Sequence, residues 1–141
     1  MKLNSILVIS RGKASLGRMF QGYLQYFNKG DIQITVASTD IRTIHPLALD
    51  VMFEDGIELN QNLTVDFNKN ILKTFDYIYI LGYVAPEIIE SLNGIPFEQY
   101  EITDPLKSDS YLNTLERYHT AREEIKKICI DLAGSFNLVK S

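Results

Sequence analysis

The sequence predicts an α/β domain in three layers, with a central four-stranded parallel sheet between two layers of helices. Two observations lead there. Four short β-prone segments begin near residues 3, 32, 76 and 97, and helical patterns separate them. The first segment ends in Ile6-Leu7-Val8-Ile9, the continuous apolar run of a strand covered on both faces. Strands that alternate with helices imply right-handed parallel crossovers. The 141 residues fit one domain, 1–141. A chain of that size buries roughly 68% of its unfolded surface.

The elements read in order as follows. Residues 3–9 form the first strand, and Ser10 to Gly17 a Gly-containing connection. From about Arg18 the pattern turns helical, because Met19/Phe20, Tyr23/Leu24 and Phe27 recur at spacings of three and four. Asn28-Lys29-Gly30-Asp31 stops that helix. Ile32-Gln33-Ile34-Thr35-Val36 is the second strand. Pro46 suits a helix start, since its missing N–H has no helical partner there. Leu47, Val51 and Met52 give this helix an apolar stripe, and Asp55-Gly56 ends it. Residues 57–65 read as a polar connection, and Asp66 to Lys73 as a short helix with Phe67, Ile71 and Leu72 inward. Asp76 to Leu81 is the third strand, followed by Gly82. Pro86 to Leu92 is a short helix closed by Asn93-Gly94. Phe97 to Ile102 is the fourth strand, ended by Thr103-Asp104-Pro105. Ser110 to Leu132 is the longest helix, with Tyr111, Leu115, Tyr118, Ala121, Ile125, Ile128 and Leu132 as its inward stripe.

Composition excludes several functions. A net charge of −4 argues against a general nucleic-acid binder, although Arg11, Lys13 and Arg18 make a local basic excess. No apolar run reaches membrane-spanning length, and the apolar run near the N-terminus is too short for a signal sequence. The single cysteine, Cys129, has no internal disulfide partner and suits a reducing compartment. The expectation is a cytoplasmic protein. Two histidines and one cysteine, far apart, match no zinc pattern. Asp40, Asp104 and Asp109 line one rim of the expected sheet, but carboxylates alone imply no metal. No cofactor is implied, and no pattern specifies an oligomeric state.

In parallel α/β sheets ligands bind beyond the C-terminal strand ends. The segments of interest are therefore 10–17, 38–45, 82–85 and 103–108. The first is the richest. Backbone N–H groups of Arg11, Gly12, Lys13, Ala14, Ser15, Leu16 and Gly17, with those of the first helical turn, would converge on an anion. Gly12 and Gly17 permit close approach, Arg11 and Lys13 add charge, and Ser15 supplies a hydroxyl. The same residues also read as a plain strand-to-helix turn. The loop is neither G-x-x-x-x-G-K-[ST] nor G-x-G-x-x-G, so no nucleotide is implied.

Ile6 to Met19 resembles the start of the low-molecular-weight protein tyrosine phosphatase and thioredoxin-coupled arsenate reductase superfamily, an apolar strand, a C-x5-R loop and a helix. His45-Pro46-Leu47-Ala48, Phe75-Asp76-Tyr77-Ile78, Asp104-Pro105 and the final amphipathic helix extend the resemblance over nearly the whole chain. It implies a phosphatase-like three-layer fold, and it implies that Asp104 matches the general acid of the phosphatases. Gly12 keeps the family glycine. The departures fall on the chemistry. Ser10 stands where the family has its nucleophilic cysteine, Leu16 where it has the oxyanion-clamping arginine, and Lys13 where it has a loop asparagine. Gly82 occupies the place of the reductases' second cysteine. Arg18 is two residues late and falls within the helix.

A thiolate is populated at neutral pH in an electropositive loop, whereas a serine hydroxyl needs an adjacent base. His45 reads as part of the turn before Pro46, His119 as an exposed helix residue, and Cys129 as a packing thiol. The expected function is therefore a catalytically inactive relative that binds phosphate, sulfate or a phosphorylated protein through the first loop, chiefly by backbone donors, Lys13 and Ser15. The alternative is an active phosphatase with Ser10 as nucleophile and Asp104 as acid. A third reading is an interaction protein with no anion site, because Leu16 puts an isobutyl group in the loop.

Overall fold

The computed structural model describes residues 5–28, 32–59, 64–107 and 110–140, with side chains described as far as residue 134. The turn expected at Lys29-Gly30-Asp31, the first residues of the expected first strand, and Ser108 and Asp109 lie outside the described residues.

The chain runs β1 (Ser5–Ser10), α1 (Leu16–Phe27), β2 (Gln33–Ser38), α2 (Pro46–Glu54), β3 (Thr64–Asp66), β4 (Tyr77–Leu81), α3 (Pro86–Ser91), β5 (Phe97–Tyr100) and α4 (Tyr111–Lys140). Short 3-10 segments occupy Gly12–Ala14 and Lys69–Thr74. All ladders are parallel, and the strand order is β3-β2-β1-β4-β5. β1 is central, as its continuous apolar run required.

Period two divides that run between the two faces. Ile6 and Val8 join a large cluster with Met19, Phe20, Tyr23 and Leu24 of α1 and Tyr118, Ala121 and Ile125 of α4. Leu7 and Ile9 join a smaller cluster with Leu72, Ile78, Ile80, Val84 and Leu92. The three-layer α/β/α expectation holds, with α1, α2 and α4 on one face and α3 with the 3-10 segment 69–74 on the other.

The sheet has five strands where four were expected. β3 lies in the stretch read as connection and the start of a helix. It pairs Thr64, Val65 and Asp66 with Val36, Ala37 and Ser38. An edge strand of three residues, with Thr64 buried and the next two exposed, carries no apolar alternation to read. The expected helix from Asp66 is the 3-10 segment, which begins at Lys69 and buries Leu72.

The stripe of α4 also differs at one end. Tyr111 is 65% exposed and Leu112 74%, so the first turn is solvated although the spacing places Tyr111 on the stripe. The buried line runs Tyr118, Ala121, Ile125, Cys129 and Ala133. Ile128 and Leu132 flank it, half-buried. α4 is tied to the α2 terminus by charge. Arg122 donates to Glu54 (2.7 Å) and to the Val51 carbonyl (2.9 Å), and Lys126 to Asp55 (3.2 Å). The Tyr23 hydroxyl of α1 donates to the same Asp55 at 2.5 Å.

Candidate functional site

β1 delivers Ser10 to the C-terminal edge of the sheet, between Ser38 of β2 and Leu81 of β4. Its side chain is buried. A Cβ added to Gly17 would sit 2.8 Å from the Ser10 hydroxyl and 2.9 Å from Val36, so Ser10 Oγ lies directly against the first turn of α1. Gly17 is needed for that close approach.

The loop between them is a 3-10 turn. The Ser15 N–H donates to the Gly12 carbonyl at 3.0 Å, and Ser15 adopts φ 65°, the left-handed region. The Ser15 hydroxyl does not cap α1; it accepts the His45 N–H at 2.8 Å. The Tyr118 hydroxyl of α4 donates to the Ala14 carbonyl at 3.0 Å. The first loop is thus bound to α2 on one side and α4 on the other.

Asp40 organises the second loop against it. Asp40 Oδ1 accepts the N–H of Gly12 at 2.6 Å, the N–H of Ile41 at 2.5 Å and the Ser38 hydroxyl at 3.2 Å. Arg11 Nε lies 3.6 Å from Oδ2. Partial burial pushes this carboxyl up, but the N–H groups of Ile41 and Gly12, the Ser38 hydroxyl and the Arg11 charge outweigh it and hold the carboxyl below its ordinary value. A carboxyl depressed in the folded state stabilises above its unfolded pKa, about 3.9, and that stability is lost as pH falls through the folded value. Wild-type protein is therefore expected to lose more stability between pH 7 and acid than Asp40→Asn does. Urea midpoints of both proteins at the two pH values check this, and equal losses would contradict it.

The remaining loop residues point in several directions. Arg11 and Lys13 are exposed, whereas Gly12, Ala14, Leu16 and Gly17 are buried. Leu16 is 7% exposed and belongs to the large core cluster. Its isobutyl group is turned into the protein, not into the loop. Arg18 is buried on α1; it donates to Thr64 Oγ1 of β3 at 3.4 Å, and burial lowers its pKa from the ordinary value. A cavity of about 10 Å³ lies among Ser10, Gly12, Gly17, Arg18, Ser38, Ile41 and Thr64, room for about one water, so a phosphoryl group does not fit while the two loops stand as they do.

Neither histidine is a base for Ser10. His45 is the N-cap of α2, and its Nδ1 accepts the Leu47 N–H at 3.1 Å. His119 Nε2 meets Glu54 at 2.9 Å on the α4 face. Asp104 is exposed, and its Oδ1 accepts the Leu106 N–H at 3.0 Å, an Asx turn. Its charge is felt by the Tyr118 hydroxyl, whose pKa burial raises first and Asp104 raises further. Asp104 thus faces the same end of the sheet as the first loop. Cys129 is fully buried, its thiol directed at the Phe20 carbonyl (3.4 Å), and burial pushes its pKa up. Among the described residues no group of three or more His, Cys, Asp or Glu converges as a metal site, and no helix is long and apolar enough to cross a membrane.

No family model matches the sequence, and no curated protein matches it. Solved structures do match, over nearly the whole chain. A low-molecular-weight protein tyrosine phosphatase from Bacillus subtilis superposes with a TM-score of 0.77 at 14% identity, covering 97% of this chain and 99% of that one. An arsenate reductase in the phosphate-binding state gives 0.72 at 20% identity, over 94% and 98%. A mutant of the YwlE arginine phosphatase with a phosphorylated active-site serine gives 0.76 at 14% identity, over 94% and 95%. The chain has the low-molecular-weight phosphatase fold. Within that fold the loop after β1 begins with Ser10 and carries Leu16; it holds no cysteine, and its one arginine is Arg11. The residue that sequence reasoning undervalued is Asp40. It was legible as a rim carboxylate, but nothing local tied residue 40 to the N–H of residue 12.

Proposed function

We propose that the protein is a catalytically inactive relative of the low-molecular-weight phosphatases and arsenate reductases, acting as a binding or regulatory module for an anionic ligand. Phosphate, sulfate or a phosphorylated protein is the class of ligand, and the contact is the first loop, residues 10–17, through backbone donors with Lys13 and Ser15. The observation that carries this reading is the fate of two positions on a retained scaffold. Ser10 replaces the nucleophile, and Leu16 replaces the clamp with its side chain in the core. Losing one oxyanion donor costs about 3 kcal/mol, or roughly 10² to 10³ in rate. Losing the nucleophile as well removes the covalent step. The buried, unpaired Cys129 accords with a reducing, cytoplasmic setting.

One observation favours a second reading, a serine phosphoenzyme with Ser10 as nucleophile and Asp104 as acid. An active-site serine carries phosphate in the mutant arginine phosphatase of the same fold. Against it stands the lack of a base, since both histidines are engaged elsewhere.

A generic aryl phosphate assay separates the two. The expected result is no hydrolysis above buffer for the purified protein and no phosphorylated species by intact mass. Turnover that disappears in Ser10→Ala, or phosphate trapped on Ser10, would establish the second reading instead.

A further inference from the structure

The first loop already holds an anion, and the protein supplies it. Asp40 collects the Gly12 N–H at 2.6 Å, the Ile41 N–H at 2.5 Å and the Ser38 hydroxyl at 3.2 Å, with Arg11 Nε at 3.6 Å. This is the donor set, backbone N–H groups plus a hydroxyl and a guanidinium, that an oxyanion recruits. We propose that the Asp40 carboxylate is a built-in anion at the first loop, and that a phosphate-class ligand binds there by displacing it.

Three features carry the inference. The first is donor occupancy. Gly12 lies in the segment that would contact a ligand, yet its N–H is committed to Asp40. A second anion would meet a donor already used and a like charge beside it. The second is restraint. The segment bearing Asp40 is held to the first loop at both ends, by the Thr39 N–H on the Ser10 carbonyl (3.1 Å) and by the His45 N–H on the Ser15 hydroxyl (2.8 Å). Those ties hold the carboxylate close to the Gly12 N–H. The third is release. The Asp40 side chain is 32% exposed and that of Arg11 58%, so the carboxylate can turn to water, and Arg11 to a ligand, without opening the core. A dianionic phosphate monoester is favoured over a monoanion, because it must outcompete one carboxylate for the same N–H groups while recruiting Arg11 and Lys13.

The inference rests on the proposed ligand-binding reading, and one experiment tells their failures apart. Full-length wild type and Asp40→Asn are titrated with inorganic phosphate at neutral pH while backbone amides are followed by NMR. Asparagine keeps the shape and an acceptor oxygen but removes the charge. The expected result is phosphate affinity at least about tenfold higher in Asp40→Asn, with the Gly12 and Ile41 amides among those that respond. Equal affinity in both proteins, with responses confined to residues 10–17, would overturn the built-in anion and leave the ligand-binding reading standing. No response in either protein would overturn both. Should Asp40→Asn fold poorly, the Asp40 carboxyl carbon is followed in the wild type instead. Its signal is expected to move toward that of a free carboxylate as phosphate binds. A Gly12 amide that shifts while that carboxyl signal stays fixed would overturn the proposal.

Discussion

Replacing Gly12 with alanine is expected to destabilise the protein by about 3 kcal/mol or more, lowering Tm by roughly 10 °C. The loss comes from a collision with atoms that have no freedom to yield. A Cβ built on Gly12 overlaps the Ile41 carbonyl oxygen and the Ser38 hydroxyl, and lies 2.8 Å from the Ile41 carbonyl carbon. Two of those atoms are backbone. The third is fixed because the Ser38 hydroxyl shares its one proton between the Ile41 carbonyl at 2.6 Å and Asp40 Oδ1 at 3.2 Å, and accepts the Asp40 N–H at 3.1 Å. Relief requires the two loops to separate. That would strain the Gly12–Asp40 and Thr39–Ser10 hydrogen bonds together. Two other glycines provide the comparison. A Cβ on Gly17 meets the side chains of Ser10 and Val36 at 2.8 and 2.9 Å, so that substitution forces side-chain movement first. Gly56 has φ +76° with open space around it, so alanine there brings only conformational strain, about 1 kcal/mol. Urea denaturation of Gly12→Ala and Gly56→Ala measures the difference. If Gly12→Ala costs no more than Gly56→Ala, the two loops are not interlocked as described.

The second large effect concerns catalysis. Introducing a thiol and a guanidinium into the first loop, Ser10→Cys with Leu16→Arg, is expected to yield a protein about 3–5 kcal/mol less stable, and no phosphatase. In an active loop a guanidinium at position 16 must reach the oxyanion. Here Leu16 is buried in the cluster that contains Ala14, Leu47, Ala48 and Tyr118. A charge placed in that cluster loses its hydration and finds no carboxylate among those members. The Ser10→Cys change by itself is mild, since it exchanges one buried small side chain for another. Its thiol would sit against the α1 N-terminus, where the helix dipole favours a thiolate. The two substitutions are therefore not equivalent: the first exchanges one atom, and the second puts a charge into the core. Denaturant midpoints and aryl phosphate hydrolysis of the two single variants and the double variant decide this. Hydrolysis by the double variant at wild-type stability would mean that side chain 16 swings readily to the ligand side.

The amino-acid sequence by itself determined the layers of this fold and the absence of a thiol from the loop after β1. Apolar runs and spacings of three and four are local signals, and they located four of the five strands, α1, α2, α3 and most of α4. Pro46 and Pro86 each stand at the first position of a helix, as their missing N–H predicts. The absence of a thiol at position 10 and of a guanidinium at 16 was equally legible, because folding cannot supply a functional group that the chain lacks. Tertiary structure alone decided where side chains point and which distant groups meet. Leu16 turns inward and Tyr111 outward, although local pattern leaves the first facing a ligand and the second in the core. β3 exists because β2 offers it an edge, not because Thr64-Val65-Asp66 prefers to be a strand. The Gly12 N–H meets Asp40, and the Ala14 carbonyl meets Tyr118, across separations of 28 and 104 residues. The crossover geometry of the sheet sets such contacts. No periodicity records them, since each depends on two segments that carry no trace of one another in their own residues.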